Sequence, residues 1–291
     1  MAYKLKKTTC LACQGQDASF FTQKNGCDVF LCRECGLIFV WPVPENHFAL
    51  YEEDYFSGAK NELGYADYES DREILGGTFK KYLKKTEAIL PRKGKLLDVG
   101  AATGHFLELA RKNGWEASGI EISKYAAKKA RKKGLEIAVG DFENHEFSEN
   151  CFDAVTFWDV LEHFGKPDLA FKQARKILRT GGILAINTPD SRSVLARIFG
   201  KRWHAIVPPN HLNLFNCDNL KAVLEKNGFE VMKISRVGKK FSLQTVFKVL
   251  ANWQENPVSR KISNYFLKSR MGRINFYLNL RDNIFLIARK K

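Results

Sequence analysis

The distribution of apolar positions divides the chain into an N-terminal part and a longer part that begins near residue 93. In the longer part, short apolar runs typical of buried strands alternate with segments whose apolar residues recur every three or four positions, as in amphipathic helices. Strands separated by helices of this length predict an α/β fold with a doubly wound sheet. The predicted strands are 96–99, 117–120, 136–139, 154–157, 183–187, 229–237 and 283–289, and the predicted helices are 106–113, 123–133, 167–178 and 219–227.

The N-terminal part contains a predicted β-hairpin followed by a helix. Two predicted strands, 20–23 and 28–31, flank Asn25-Gly26, a dipeptide that favours a tight hairpin turn. A proline-containing segment and an aromatic, acidic segment follow, and helical spacing returns from 70 to 90. We therefore predict three parts: a hairpin unit at 1–45, a linker and helix at 46–92, and an α/β domain at 93–291 with a helical insertion at 239–281.

Cysteine spacing adds a metal site to the hairpin unit. Cys10 and Cys13 form one C-x-x-C pair, Cys32 and Cys35 form a second, and eighteen residues separate the two pairs. Each pair makes a tight knuckle, and the hairpin between them allows both pairs to converge on one tetrahedral ion. We predict a structural zinc ribbon, because four thiolates leave no position open for a substrate. A catalytic zinc ion is the alternative.

Hydropathy and charge bear on location and partners. The chain has no apolar run long enough to span a membrane and no apolar stretch behind its basic N-terminus, which predicts a cytoplasmic protein. The formal net charge is +15, and residues 238–291 hold twelve lysines and arginines against two acidic residues. This excess favours an anionic partner: a phosphate-bearing substrate, RNA, or a membrane surface to which the protein is peripheral. A solvated basic face accounts for the same composition.

A ligand-binding loop is indicated where the first strand of the α/β domain meets its helix. Residues 98–106 read Asp-Val-Gly-Ala-Ala-Thr-Gly-His-Phe. Small residues let the backbone approach a ligand closely, and the following helix N-terminus offers unpaired N–H groups. Asp98, Glu121 and Asp141 stand at the carboxyl ends of three successive predicted strands, the edge at which such sheets bind ligands. Each acid taken alone is equally well explained as a helix cap or a loop residue.

A nicotinamide or flavin dinucleotide is the rival ligand for this fold. Its loop requires the spacing G-x-G-x-x-G, with a pyrophosphate over the helix N-terminus. Here Gly100 and Gly104 are four positions apart with Ala102 between them, and Asp98 precedes the loop. A carboxylate at that position suits a cofactor that has no phosphates and carries cationic groups.

The order of these motifs resembles that of class I S-adenosylmethionine (SAM) dependent methyltransferases. The resemblance extends over residues 95–187, although the family usually has glycine where this chain has Ala102. It implies a seven-stranded Rossmann-like sheet whose last strand, 283–289, is antiparallel. It also implies that Asp98 and its loop hold the methionine part of SAM, Glu121 the ribose and Asp141 the adenine. The full set of cofactor-binding residues implied is Asp98, Gly100, Ala101, Ala102, Gly104, Phe106, Glu121, Ile122, Asp141, Phe142, Trp158, Asp159 and Val160.

The N-terminal block also resembles part of a known group. Cys32-x-x-Cys35 followed by Gly36-Leu-Ile-Phe and then Pro42 is similar to a bacterial methyltransferase subgroup often implicated in modifying sugars or cell-surface glycans. This similarity implies that the methyl acceptor is a sugar, a nucleotide sugar or a glycan precursor. The alternatives are an RNA or tRNA acceptor and, in another class of protein, a catalytically silent zinc-ribbon binding module.

Candidate acceptor-facing residues follow the fourth and fifth predicted strands. Methyl transfer from an activated cofactor depends mainly on positioning, and a base is needed only when the acceptor must lose a proton. We predict His211 first and His163 second as base or acceptor ligand, with Asp159 as a third candidate. A structural role for His163, bracing the segment after its strand, is the alternative.

Overall fold

The structure is a computed structural model that describes residues 8–45, 47–51, 72–242 and 275–291. Most of the predicted insertion at 239–281 lies outside these residues, and so does its predicted contact with a membrane surface or a phosphate-bearing substrate. Its described ends, 239–242 and 275–281, are strand and not helix, because they extend the pairing of the last two strands of the sheet. None of the helices in the described part of the chain has the length and apolar character needed to cross a membrane.

Strands and helices alternate along most of the described residues. The strands are β1 (Ala18–Lys24), β2 (Cys27–Cys32), β3 (Ile38–Val40), β4 (Lys95–Val99), β5 (Glu116–Glu121), β6 (Ile137–Val139), β7 (Phe152–Trp158), β8 (Leu178–Pro189), β9 (Asn213–Leu214), β10 (Phe229–Ser242) and β11 (Asn275–Lys290). The α-helices are α1 (Arg72–Glu87), α2 (His105–Lys112), α3 (Lys124–Lys132), α4 (Pro167–Ile177), α5 (Val194–Phe199) and α6 (Cys217–Lys226).

Seven strands form one sheet in the order β10-β11-β8-β7-β4-β5-β6. The pairs from β8 through β7, β4 and β5 to β6 are all parallel, whereas β11 is antiparallel to both β8 and β10. Strand order reverses beside β4, so the carboxyl ends of β4, β5, β6 and β7 flank a crevice of the kind in which open α/β sheets bind ligands. The predicted fold class, including the antiparallel last strand, is confirmed.

A second sheet joins the N-terminal hairpin to the α/β domain. Its order is β1-β2-β3-β9, with a tight turn at Asn25 and Gly26, where φ is 51° and 75°. Strand β9 belongs to the segment between α5 and α6, and Ile38 of β3 pairs with Leu214 in an antiparallel arrangement. Apolar side chains of the ribbon and of the α/β domain form one buried cluster. The ribbon contributes Cys10, Phe30, Leu37 and Phe39, and the domain contributes, among others, Phe171, Phe215 and Leu224. The domain limits at 45 and 92 stay a prediction.

The structure adds short elements that the apolar pattern does not reveal. Helix α5 has six residues and β9 has two, and single 3-10 turns occur at His47–Leu50, Leu161–His163 and Gly200–Arg202. Elements of one turn or less contain too few positions to show a period. Two of these turns nevertheless position residues at the candidate site.

Candidate active site

A cavity lies at the carboxyl ends of β4 to β7, and its volume of about 880 Å³ includes the open space at its mouth. Ten of the predicted site residues line it: Gly100, Ala102, Glu121, Ile122, Asp141, Phe142, Trp158, Asp159, Val160 and His163. The other predicted residues, namely Asp98, Ala101, Gly104, Phe106 and His211, are not among its lining residues.

The loop between β4 and α2 is held by backbone hydrogen bonds to β5. The N–H groups of Gly100 and Ala101 both donate to the carbonyl oxygen of Ile120, at 2.9 and 3.2 Å. Gly100 has φ +70°, and a Cβ built on it would lie 2.8 Å from Cγ2 of Val160. Ala102 is also in the left-handed region, with φ 48°. The backbone at Gly100 therefore approaches Val160 so closely that no side chain fits, as a loop that holds a ligand by its backbone requires.

Two carboxyl groups are buried beside this loop. Glu121 accepts hydrogen bonds from the N–H groups of Ala102 and Ser123, both at 2.8 Å, and Asp98 accepts one from the hydroxyl of Thr156 at 2.6 Å. Among the described residues, no lysine or arginine pairs with either carboxyl. Burial raises the pKa of both groups, that of Asp98 to about 8, and the charge of Glu121 adds to the effect on Asp98. Two buried carboxyls without a protein cation fit a ligand that brings positive charge.

Trp158 lines the cavity and carries a buried donor without a partner. Its indole Nε1 has no hydrogen-bond partner among the described residues. Buried donors of this kind are rare because an unmet hydrogen bond costs free energy.

Asp141 and Phe142 form the wall of the cavity that follows β6. Oδ1 of Asp141 accepts from the N–H of Glu143 at 3.0 Å, which fixes the carboxylate, while the side chain stays half-buried. Phe142 is buried and packs edge-on against Phe157, with ring centroids 5.6 Å apart. Both residues thus line the cavity where the sequence predicts contact with an adenine.

On the β7 side, Asp159 is held in an unusual backbone conformation. Its φ is 54°, its N–H donates to the carbonyl oxygen of Asn187 at 2.9 Å, and the Asn187 amide donates to its carboxylate at 2.5 Å. The hydroxyl of Tyr82 on α1 in turn donates to Asn187 at 2.7 Å. Left-handed backbone at an aspartate is uncommon and is found at binding sites more often than elsewhere.

The predicted histidines lie next to each other. The ring centroids of His163 and His211 are 5.0 Å apart, and burial lowers the pKa of His163, which favours its neutral form. Only His163 lines the cavity. The pairing arises because the N–H of Leu212 donates to the carbonyl oxygen of Glu162 at 2.7 Å, which fixes the His211 segment beside the turn after β7.

The four predicted cysteine ligands converge. Their sulfur atoms lie within 4.8 Å of one another, with Cys10 to Cys35 and Cys13 to Cys32 both at 3.6 Å. A tetrahedral ion with zinc–sulfur bonds of 2.3 Å requires sulfur atoms about 3.8 Å apart. Cys27 is not a member of this cluster. The described arrangement can therefore hold one tetrahedral ion.

Several cavity residues were missed from the sequence. Phe48 lies in the 3-10 turn after the ribbon, and Tyr51 follows that turn directly. Phe79 lies on α1, and Phe164 follows the 3-10 turn after β7. The richness of residues 48–68 in aromatic side chains is a signal, but a linker explains it as well. Contact with a cavity formed by distant strands cannot be read from local spacing.

Comparisons with known proteins agree on the fold and the general reaction. A family profile described as a methyltransferase domain matches residues 68–234. A solved SAM-dependent methyltransferase from Archaeoglobus fulgidus superposes with a TM-score of 0.54 at 20% identity, over 81% of this chain and 99% of that one. This likeness concerns the fold alone, because the identity is low.

Sequence relatives are distant. An uncharacterised protein of Methanocaldococcus jannaschii is 25% identical over 184 residues, which are 63% of this chain and 82% of that protein. The rice chloroplast 2-methyl-6-phytyl-1,4-hydroquinone methyltransferase 2 is 28% identical over 158 residues, which are 52% of this chain and 43% of the enzyme. The match thus spans less than half the length of the rice relative.

Proposed function

Because this chain belongs to the class I SAM-dependent methyltransferases, we propose that SAM occupies the cavity at the ends of β4 to β7 and that the methyl acceptor is a small molecule. The observation that carries the cofactor assignment is the pair of buried carboxyls, Asp98 and Glu121, without a protein cation. SAM supplies an activated methyl group on a positively charged sulfur. Its cationic groups would offset the cost of burying these carboxylates.

Each wall of the cavity has a role in this proposal. The backbone of the Gly100–Gly104 loop and Asp98 hold the methionine part, and Glu121 accepts from the ribose hydroxyls. Asp141 takes the adenine amino group beside Phe142, and the Trp158–Val160 segment closes the other side. Asp159, His163 and His211 stand on the acceptor side, as base or as acceptor ligands.

Calorimetric titration of SAM tests the cofactor site. Glu121→Ala removes a charged acceptor, and we expect SAM to bind about tenfold to hundredfold more weakly. Glu116→Ala is the matched control, because Glu116 lies on the same strand at its far end, where it is exposed and pairs with Lys95 at 3.3 Å. The control should bind SAM as the unaltered protein does. No SAM binding by the unaltered protein, or equal affinity in Glu121→Ala, would refute the assignment.

For the acceptor, we propose a sugar, a nucleotide sugar or a glycan precursor. The support is the similarity of the ribbon motif to a subgroup implicated in modifying such compounds. A hydroquinone is the second candidate, because the rice relative is named as a hydroquinone methyltransferase and the cavity wall includes Phe48, Tyr51 and Phe79. Radiolabelled SAM incubated with nucleotide sugars, lipid-linked glycans and hydroquinones separates the two classes by which product carries the label.

An RNA acceptor and a silent binding module give different results in the same assay. RNA binding through basic residues would weaken steeply as salt is added, since counterions are released on binding. A silent module would bind its partner and transfer no label to any acceptor.

We also propose that Cys10, Cys13, Cys32 and Cys35 bind a structural zinc ion. The sulfur distances support it, and the N–H groups of Gly15 and Cys35 donate to Cys13 and Cys32 at 3.4 and 3.5 Å, as in a metal knuckle. With four thiolate ligands the ion has no open position for substrate, so its role is to stabilise the fold.

A further inference from the structure

Glu162, His163 and His211 form a second cluster of metal-ligating side chains, separate from the four cysteines. One ligand atom from each residue lies within 4.8 Å of the other two. His163 also lines the cavity proposed for SAM. The cluster therefore adjoins that cavity.

Hydrogen bonds fix both imidazole rings in one tautomer. Nδ1 of His163 lies 2.7 Å from the carbonyl oxygen of Asn210, and Nδ1 of His211 lies 2.8 Å from that of Ala205. A carbonyl oxygen can only accept, so each Nδ1 carries a proton, and in the neutral ring Nε2 carries the lone pair. Histidines that ligate metals are commonly held in this way, with the second ring nitrogen donating to a carbonyl or a carboxylate.

The carboxylate is also held in place. Glu162 is 2% exposed, and its Oε2 accepts a hydrogen bond from the hydroxyl of Thr188 at 2.9 Å. The main chain of Glu162 accepts from the N–H of Leu212, so the ligands from the β7 turn and from the His211 segment are fixed relative to each other.

We propose that Glu162, His163 and His211 bind a divalent transition-metal ion with open positions that accept an oxygen ligand from the methyl acceptor. Two imidazoles and one carboxylate suit zinc, iron(II) or cobalt, whereas magnesium prefers ligands that are all oxygen. Three protein ligands leave coordination positions open, as in catalytic zinc sites. The proposal rests on the proposed function for its acceptor, and it narrows the acceptor to compounds with a hydroxyl group.

The chemistry follows from the effect of a metal on a hydroxyl. An acceptor hydroxyl bound to the ion loses its proton to solvent more readily than a free one. Its oxygen then forms the bond to the methyl carbon of SAM while the methyl–sulfur bond breaks and the sulfur keeps the electron pair. The products are a methyl ether and S-adenosylhomocysteine. The two histidines thereby act as metal ligands, and no protein base is required.

Cobalt binding to the full-length protein tests the site. After equilibrium dialysis against cobalt chloride, we expect unaltered protein to hold one metal ion per chain more than His211→Ala or Glu162→Gln. The extra cobalt should lack the sulfur-to-cobalt charge-transfer absorption that a four-cysteine site shows. Sodium azide should change its visible spectrum by occupying an open coordination position.

His204→Ala is the matched control, because it removes an exposed histidine from the same segment as His211. It should keep the extra ion. Equal metal content in unaltered protein and His211→Ala, or no response to azide, would overturn the proposal. SAM titration of the unaltered protein separates the two ideas: absence of SAM binding contradicts the proposed function, whereas SAM binding without the extra cobalt ion contradicts the metal site alone. If Glu162→Gln does not fold, His211→Ala, at a half-buried residue, still decides the outcome.

Discussion

Gly100 and Gly181 share one backbone conformation but differ in what surrounds them. Their φ angles are +70° and +79°, yet a Cβ on Gly100 would lie 2.8 Å from Val160, whereas a Cβ on Gly181 would have nothing within 4 Å. Alanine at either position carries a backbone cost of roughly 1–2 kcal/mol. Only Gly100→Ala also displaces the proposed cofactor loop.

We therefore expect Gly100→Ala to weaken SAM binding by about tenfold or more. A tenfold loss of affinity corresponds to only about 1.4 kcal/mol of binding free energy. Gly181→Ala should bind SAM as the unaltered protein does while losing a similar amount of backbone stability. Calorimetry with SAM and urea unfolding of both variants measure the two effects separately. Equal losses of affinity in the two variants would show that strain alone, without the contact at Val160, accounts for the result.

The raised pKa of Asp98 leads us to expect that the ligand-free protein becomes less stable as the pH rises. Its folded pKa is about 8, chiefly because of burial, against 3.8 for an unperturbed carboxyl. Between these values the folded protein holds the proton and the unfolded chain releases it, so rising pH favours unfolding. The ligand-free protein should lose up to about 1.4 kcal/mol of unfolding free energy per pH unit from this group. Above about pH 8 this contribution levels off.

Urea unfolding of unaltered protein and Asp98→Asn from about pH 5 to about pH 8 isolates that contribution. The asparagine can still accept from Thr156 but does not titrate. Its stability relative to the unaltered protein should rise steadily with pH. A constant difference would mean that Asp98 is ionised in the folded, ligand-free protein. Addition of SAM should reduce the pH dependence, because a cationic ligand favours the ionised carboxylate.

Among the elements, those with several periods of apolar residues were predictable and single turns were not. Strands β4 to β8 and helices α2, α3, α4 and α6 occur within a few residues of their predicted bounds, except that β8 begins five residues early, at Leu178. The apolar residues of these elements are buried in or against one sheet, so the local apolar pattern matches the burial in the folded protein. The carboxyl ends of adjacent parallel strands meet at one edge, which is why Glu121, Asp141 and Asp159 could be placed together. Phe79 and Tyr51 reach the cavity from elements whose docking depends on contacts distant in sequence.

For the histidine pair, the position of one residue was predictable from the sequence and the position of the other was not. His163 follows β7 directly, and its place at the cavity is a consequence of sheet topology. His211 lies beside His163 only because β9 pairs with β3 of the ribbon and Leu212 bonds to Glu162. A two-residue strand leaves no period in the sequence, so the juxtaposition with Glu162 could not be predicted.

Helix α1 is tied to the cavity by one buried hydrogen-bonded chain from Tyr82 through Asn187 to Asp159. Tyr82→Phe removes the donor to the buried Asn187 amide oxygen, and we expect it to cost about 1–3 kcal/mol of unfolding free energy. In an Asn187→Ala background the same change should cost less, because this acceptor is already gone. Urea unfolding of the two single variants and the double variant measures this coupling. If Tyr82→Phe lowered the free energy of unfolding equally in both backgrounds, Tyr82 and Asn187 would not be energetically coupled.

For the molecule as a whole, the ribbon and the α/β domain are joined by both packing and hydrogen bonds. Phe39 lies in the same buried cluster as Phe171 and Phe215, and the side-chain amide of Asn219 donates to the carbonyl oxygen of Cys35 at 3.2 Å. The ribbon strand β3 also fixes the segment that carries His211. The proposed zinc ion therefore supports the acceptor side of the cavity from a distance, through the sheet β1-β2-β3-β9.

This arrangement predicts that metal release and unfolding of the α/β domain occur together. In a urea titration, zinc captured by a chromogenic chelator and the loss of helical circular dichroism should share one midpoint, since the ribbon and the α/β domain share one buried apolar cluster. Cys10→Ser should lower that midpoint because it removes a ligand of the proposed zinc site, whereas Cys27→Ser, outside the cluster, should leave it unchanged. Zinc release at a clearly lower urea concentration, with the helical signal intact, would show instead that residues 1–45 unfold independently of the domain on which they pack.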